Sequence, residues 1–216
     1  MYVREQPELK EKKLTFAVSG KLWNRSLVMV DSGTESLWSH LLGKAMDGEL
    51  KGTILETLPS TMADWKSWKI DHPETTVLAL KRTSREFVKE FHEDVDRFVL
   101  GLRTPLVAKS YGFGVLKEKR VINDEFDGEP VIVVFRPESA GGRAYSRKLE
   151  GKTLQFESTN EGKSLQDVGS KSMWNPESGI CESGALEGSR LDEIPAIVSF
   201  KRAWDVFYPE SKPYNE

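Results

Sequence analysis

Asp31, Ser36 and His40 bring a carboxylate, a hydroxyl and an imidazole close together in the chain. These are the three group types of a nucleophilic hydrolase. Ser36, Trp38 and His40 alternate, so a strand would put all three on one face and Glu35 on the other. Hydrolysis would further need the imidazole within hydrogen-bond reach of the hydroxyl, a geometry that spacing alone does not decide. Asn123 and Asp124 form a second candidate. They open what reads as a turn, where their side chains either bond the local backbone or face a ligand.

Other motifs carry less. Gly162-Lys163-Ser164 has the ending of a phosphate-binding loop, but the position five residues before Gly162 is Glu157, whose carboxylate opposes a phosphate. Gly112-x-Gly114 lacks a third glycine and reads as a turn, as does Gly141-Gly142. His40, His72 and His92 do not pair at metal-ligand spacing. The single cysteine, Cys181, excludes an internal disulfide and a cysteine-rich zinc site, and reads as a small buried hydrophobe. No metal and no cofactor is expected. The 216 residues are 30% charged and 38% hydrophobic with a net charge of −3, a soluble globular profile without bulk attraction to nucleic acid or anionic membrane. There is no apolar run of about 18 residues and no signal-peptide core at the start, so no membrane insertion is expected.

The elements that must position these residues are written twice. Asp31–Glu74, shifted by 136 positions, lies on Asp167–Glu210 without a gap, and 13 of the 44 pairs are identical. Two unrelated stretches would share roughly two or three. The shared residues are mostly Gly, Trp, Pro and Leu, the types that set a backbone course and a core; Asp31/Asp167, Ser36/Ser172 and Glu74/Glu210 are the shared polar ones. Trp38, Trp174, Trp68 and Trp204 are therefore expected in the core, and the unrepeated Trp23 and Trp65 at the surface. Within the unit, Leu27–Val30, Thr34–His40 and Thr53–Leu58 read as strands, with Gly43, Gly48 and Gly52 marking turns. Ile197, Phe200, Trp204 and Phe207 form an apolar stripe at helical spacing, echoed by Met62, Trp65 and Trp68, with Ser60 or Thr61 as a cap. Both helices must stop before Pro73 and Pro209.

Outside the repeat, Met1–Lys13 is a charged N-terminal segment. Thr83–Phe98 predicts a linker helix with Phe87, Phe91, Val95 and Phe98 on one face and His92 on the polar side. Val77–Leu80, Phe98–Leu102, Val107–Tyr111, Val121–Phe126, Val131–Phe135, Ala144–Arg147 and Thr153–Phe156 read as strands, Gly112–Lys119 as a short helix and Asp127-Gly128 as a hairpin turn. Leu154-x-Phe156 matches Leu14-x-Phe16, but copy one has no counterpart to the long stretch that precedes Leu154.

The run Val18-Ser-Gly, Asn24–Asp31, Thr34–Trp38, Gly43-Lys-Ala, Gly48–Gly52, Leu58-Pro59 and Trp65 to Pro73, with Val121–Asp124, Gly128, Val131–Phe135 and Ala144-Tyr145, resembles the DUF3179 family of bacterial and archaeal proteins of unknown function. The resemblance covers nearly all of residues 14–213 and implies no activity. Members often carry Cys-Pro-Leu-Cys after the strand equivalent to Val131–Phe135; this chain has Arg136-Pro137-Glu138-Ser139 there. Members also often carry export signals or anchors, which this chain does not show.

The expected fold is α+β, mainly β: a tandem repeat of antiparallel units, each ending in a short amphipathic helix. Its divisions are residues 1–13, a first unit at 14–80, a linker helix at 81–98 and a second unit at 99–216. The expected function is a non-catalytic binding or structural module for an unknown ligand, the alternative a hydrolase-like enzyme with its site near Asp31, Ser36 and His40. The incomplete copy one leaves Leu27–Val30 as an open sheet edge able to pair with another chain.

Overall fold

The computed structural model describes residue 2 and residues 14–63, 65–77 and 94–215. The charged N-terminal segment apart from Tyr2, the linker helix before Asp94, His92 and the expected strand after Val77 lie outside these residues. Among the described residues strand makes up 45% and helix 13%, so the fold is mainly β, with several antiparallel sheets and few helices. The chain divides into two compact units, Met1–Ser60 with Arg202–Ser211, and Thr61–Lys201 with Lys212–Glu216.

The first unit holds a four-stranded sheet in the order β1 (Phe16–Trp23), β2 (Ser26–Asp31), β3 (Leu37–Ser39) and β4 (Lys44–Asp47). The β1–β2 hairpin turns on Asn24 and Arg25, both at positive φ, the conformation a two-residue hairpin demands and Asn accepts most readily. Leu14, Trp38, Ala45, Leu50 and Leu55 form its core. Two expectations change here. The strand expected over Thr34–His40 begins only at Leu37, because the chain turns back over Asp31 first. The sheet edge is β1 rather than Leu27–Val30, which lies between β1 and β3. Thr53–Leu58 contributes isolated bridges at Ile54 and Thr57 instead of a strand.

The second unit has helix α1 (Trp65–Asp71), followed by a 3₁₀ turn at Val95–Arg97, β5 (Phe98–Arg103) and β6 (Ala108–Gly112). Helix α2 (Phe113–Lys119) then leads into β7 (Val121–Phe126), β8 (Glu129–Arg136) and β9 (Gly141–Ser146). The short hairpin β10 (Lys148–Leu149) and β11 (Lys152–Thr153) precedes β12 (Phe156–Thr159), β13 (Ser164–Asp167), β14 (Met173–Trp174) and β15 (Cys181–Ser183). The chain closes with β16 (Glu193–Ile194) and β17 (Ala196–Phe200), then α3 (Lys201–Phe207), which from Arg202 on belongs to the first unit, and β18 (Lys212–Pro213), back in the second. Three four-stranded sheets result, in the orders β12-β13-β14-β15, β16-β9-β8-β7 and β17-β5-β6-β18. β8 is apolar and buried from Val131 to Phe135 because both of its faces are covered, by two separate core clusters. Gly141 and Gly142, expected as a turn, open β9; a Cβ on Gly142 would come within 3.3 Å of Leu100, so glycine lets the strand lie close to the core. The expected cap Thr61 instead donates its hydroxyl to the Gly142 carbonyl at 3.3 Å.

Trp38, Trp174 and Trp204 are fully buried, while Trp23 and Trp65 are 40% and 50% exposed, as their absence from the repeat predicts. Trp68 is only half-buried. Trp68 and Trp204 each carry an aromatic ring, His72 at 4.0 Å and Tyr208 at 4.2 Å, and each donates its indole N–H to a hydroxyl seven residues on, Thr75 and Ser211.

Candidate functional site

Asp31 ends β2, and the turn after it folds over its carboxylate. Oδ1 accepts the N–H groups of Gly33 at 3.0 Å and Thr34 at 2.7 Å, the Thr34 hydroxyl lies 3.0 Å from Oδ2, and the Trp38 indole N–H donates to Oδ2 at 2.9 Å. Burial pushes this carboxyl up, but the donors from Trp38, Thr34 and Gly33 outweigh it and hold its pKa below the ordinary value. Ser36 is fully buried; its Oγ lies 2.7 Å from the Thr34 hydroxyl and accepts the Leu50 N–H at 3.0 Å. Gly48 makes this approach feasible. Its φ is +94°, and a Cβ there would sit 2.7 Å from Ser36 Cα. His40 stands outside the set. β3 ends at Ser39, and His40 is exposed in the following turn, its N–H bonded to the Leu27 carbonyl and its own carbonyl accepting the Tyr2 hydroxyl at 2.6 Å. The structure thus joins Asp31, Thr34, Ser36 and Trp38 in one network and leaves His40 outside it.

The residues 136 positions on use the same parts. Asp167 Oδ2 accepts the Ser170 N–H at 2.6 Å, the Ser170 hydroxyl bonds Ser172 Oγ at 2.9 Å, and Ser172 Oγ accepts the Leu186 N–H at 3.1 Å. Gly184, at φ +102°, would bring a Cβ within 2.8 Å of Ser172 Cα. Asp167 is raised by burial and lowered by more through Ser170, Gln155 and Gly169. Cys181 occupies the place of Ala45 in this core, and burial raises its thiol pKa.

Asn123 and Asp124 sit inside β7, not at a turn. A strand tolerates them because each is satisfied from outside. The Asn123 carboxamide accepts the Phe156 N–H at 2.9 Å and donates to the Phe156 carbonyl at 2.7 Å. Asp124 Oδ2 takes the Lys109 ammonium at 2.6 Å and the Tyr111 hydroxyl at 2.9 Å, while Oδ1 takes the Glu125 N–H. Burial raises the Asp124 carboxyl, and Lys109, Glu125 and Tyr111 bring it below its ordinary value. Burial and the Asp124 charge push Tyr111 far up. Tyr214 stacks on Tyr111, and Lys119 lies 5.7 Å from the Tyr214 ring.

Sequence reasoning missed a second charged set. Arg143 on β9 reaches Glu193 at 2.6 Å and Glu177 at 3.1 Å, and Arg136 reaches Glu177 at 3.2 Å. Burial disfavours the Arg143 charge; Tyr145, Glu193 and Glu177 offset that and raise its pKa. Each member is an ordinary charged residue far from its partner in the chain, so no local pattern could have marked it. A cavity of about 50 Å³ opens beside the larger core, between Met62, Val95, Phe98, Phe113 and Val198, with the Ser139 hydroxyl in its wall. That is room for a few water-sized groups. Among the described residues, no three His, Cys, Asp or Glu side chains cluster so as to hold a metal ion, and no helix is long and apolar enough to cross a membrane.

No curated protein and no solved structure matches the chain. The family model described as protein of unknown function, DUF3179, matches residues 2–211, nearly the whole length, and the chain belongs to that family.

Proposed function

We propose that this protein is a non-catalytic binding or structural module made from one β unit used twice, at 14–80 and 99–216, each use ending in a short amphipathic helix. The observation that carries this reading is how Asp31, Ser36, Asp167 and Ser172 are employed. All four are at most 2% exposed, and their oxygens accept the hydrogen bonds of the turns in which they sit. They recur because both turns need internal acceptors, which is a folding requirement and not a chemical one. For Ser36 to attack a substrate it would have to reach solvent, and doing so would leave the buried Leu50 N–H without its acceptor. Asn123 and Asp124 likewise serve neighbouring strands.

The binding role falls to the exposed edge of β1, where another polypeptide can add to the sheet. Ser36→Ala and His40→Ala, with the parent chain, on a broad panel of ester, amide and phosphoester substrates test the reading. No turnover above buffer is expected in any of the three. Turnover by the parent that both substitutions abolish would establish the hydrolase near Asp31, Ser36 and His40 instead.

A further inference from the structure

The two outer strands β1 and β12 hold the same place in their sheets, and their free sides are treated differently. Thr15 accepts the Ser32 N–H and Gln155 accepts the Val168 N–H, which sets Phe16↔Asp31 and Phe156↔Asp167 as pairs that do not bond each other. The N–H and C=O of Phe16, of Val18 two residues on, and of Phe156 therefore point away from the sheet. At Phe156 both groups are taken by the Asn123 carboxamide, presented by β7. At Phe16 and Val18 no described residue takes them. The first unit holds Tyr2, bridged to Thr57 as Tyr145 is paired with Glu193 and bonding the His40 carbonyl as Tyr145 bonds that of Pro176. Among its described residues it holds no counterpart of β7 or β8.

We propose that the outer edge of β1 at Phe16–Val18 is a docking site for an extended, acidic, asparagine-bearing strand of another polypeptide, of the pattern that β7 shows in Val121–Phe126. The proposal rests on the binding reading above. Hydrogen bonds to the Phe16 backbone supply the register, as Asn123 does at Phe156, and strand addition supplies the rest. Charge selects the occupant. Lys21 and Arg25 are the only charged residues from Phe16 to Val30, and both are exposed. β7, its turn and the first residue of β8 carry Asp124, Glu125, Asp127 and Glu129. A second copy of β1 fits less well. It brings to the edge only the same two cations, Lys21 and Arg25, and no carboxylate between Phe16 and Val30 to meet them, like charge against like. Val18, 70% exposed, and Leu22, 69% exposed, offer apolar surface to the incoming strand.

The test titrates the full chain with a labelled synthetic peptide, Val-Ile-Asn-Asp-Glu-Phe-Asp-Gly-Glu, and follows anisotropy. Two control peptides carry Ala for the Asn, or Lys for every Asp and Glu. Saturable binding is expected, at least tenfold weaker for each control. Val18→Pro removes an outward N–H without touching the β2 ladder, and Val18→Asp adds a repelling charge at an exposed position. Each should weaken binding at least tenfold with an unchanged far-UV spectrum. Equal binding of all three peptides, insensitivity to both Val18 variants, or absence of binding at millimolar peptide would overturn the site. A concentration-dependent dimer abolished by Val18→Asp would overturn the acidic occupant in favour of a second copy. Hydrolysis in the substrate panel would refute the proposed function without altering any of these outcomes.

Discussion

Trp38 and Trp174 are both fully buried, and each meets a phenylalanine edge-on, Phe16 at 5.5 Å and Phe156 at 5.7 Å. Only Trp38 sets its indole N–H against a carboxylate, at 2.9 Å from Asp31. The Trp174 N–H has no partner among the described residues, because Asp167 turns its Oδ1 toward the Gln155 N–H, at 3.4 Å. The two regions therefore agree in backbone and apolar packing and differ in how one buried carboxylate is shared. Gly43 and Gly179, Gly48 and Gly184, and Gly52 and Gly188 all take positive φ, and so do Glu35 and Lys171, which share nothing chemically. Backbone course and aromatic burial are the common part, and the polar bonds adapt around them.

The largest effects should fall on that common part. Trp38→Ala and Trp174→Ala each remove a fully buried ring and should cost about 3–5 kcal/mol, read as a lower urea midpoint. Trp68→Ala, at a half-buried position, should cost less than Trp204→Ala. If Trp68→Ala were as damaging as Trp204→Ala, burial would not be what ranks these positions.

The glycines come next. Gly48→Ala and Gly184→Ala combine a positive φ with a Cβ driven into the backbone of Ser36 or Ser172, and should cost about 1–3 kcal/mol each. Gly52→Ala has the same handicap in φ, +95°, but meets nothing within 4 Å and should be milder. Equal losses at Gly48 and Gly52 in thermal melts would show that close approach to Ser36 contributes nothing.

The carboxylates sharpen the comparison. Asp31→Asn weakens bonds to two backbone donors, a hydroxyl and an indole, and should cost about 1–3 kcal/mol, more than Asp167→Asn. Both carboxyls titrate below their ordinary value in the folded chain. Their contribution is therefore fully present above the unfolded-state value of about 3.9 and is lost as pH falls through the folded values. The stability advantage of the parent over Asp31→Asn should therefore be full at neutral pH and shrink as pH falls through the folded value, the two chains converging in acid. A gap that stayed constant with pH in urea titrations would remove Asp31 from that role.

The smallest effect isolates the single bond that differs. Trp38→Phe loses the bond to Asp31, whereas Trp174→Phe deletes an unpartnered N–H. Trp174→Phe should be the less costly of the two by about 1 kcal/mol, measurable by paired chemical denaturation.

Much of the fold was legible in the chain. The Gly, Trp and Pro spacing marked the turns and the helices at Trp65–Asp71 and Lys201–Phe207, and it separated Trp38 and Trp174 from Trp23 and Trp65, because turn angles and apolar burial are properties of residue type. The hairpin at Asp127-Gly128 and the apolar β8 were readable for the same reason. The candidate site was legible only in part. Asp31 and Ser36 do come together, but the alternation that put His40 beside them ignored the turn that shortens β3, and Asn123 and Asp124 looked like turn residues because nothing nearby in sequence reveals Phe156, Lys109 or Tyr111.

By itself, then, the sequence determined the duplicated spacing, the residues able to take positive φ and the aromatic rings that had to be buried. Only the tertiary structure decided which polar groups those rings and turns consume. It alone made β1 the outer strand, closed the edge of β12 with Asn123 and placed Arg143 between Glu177 and Glu193. The physical reason is range. Backbone angles and apolarity are written at each residue, whereas a hydrogen bond or an ion pair has no identity until a partner many residues away is brought within about 3 Å.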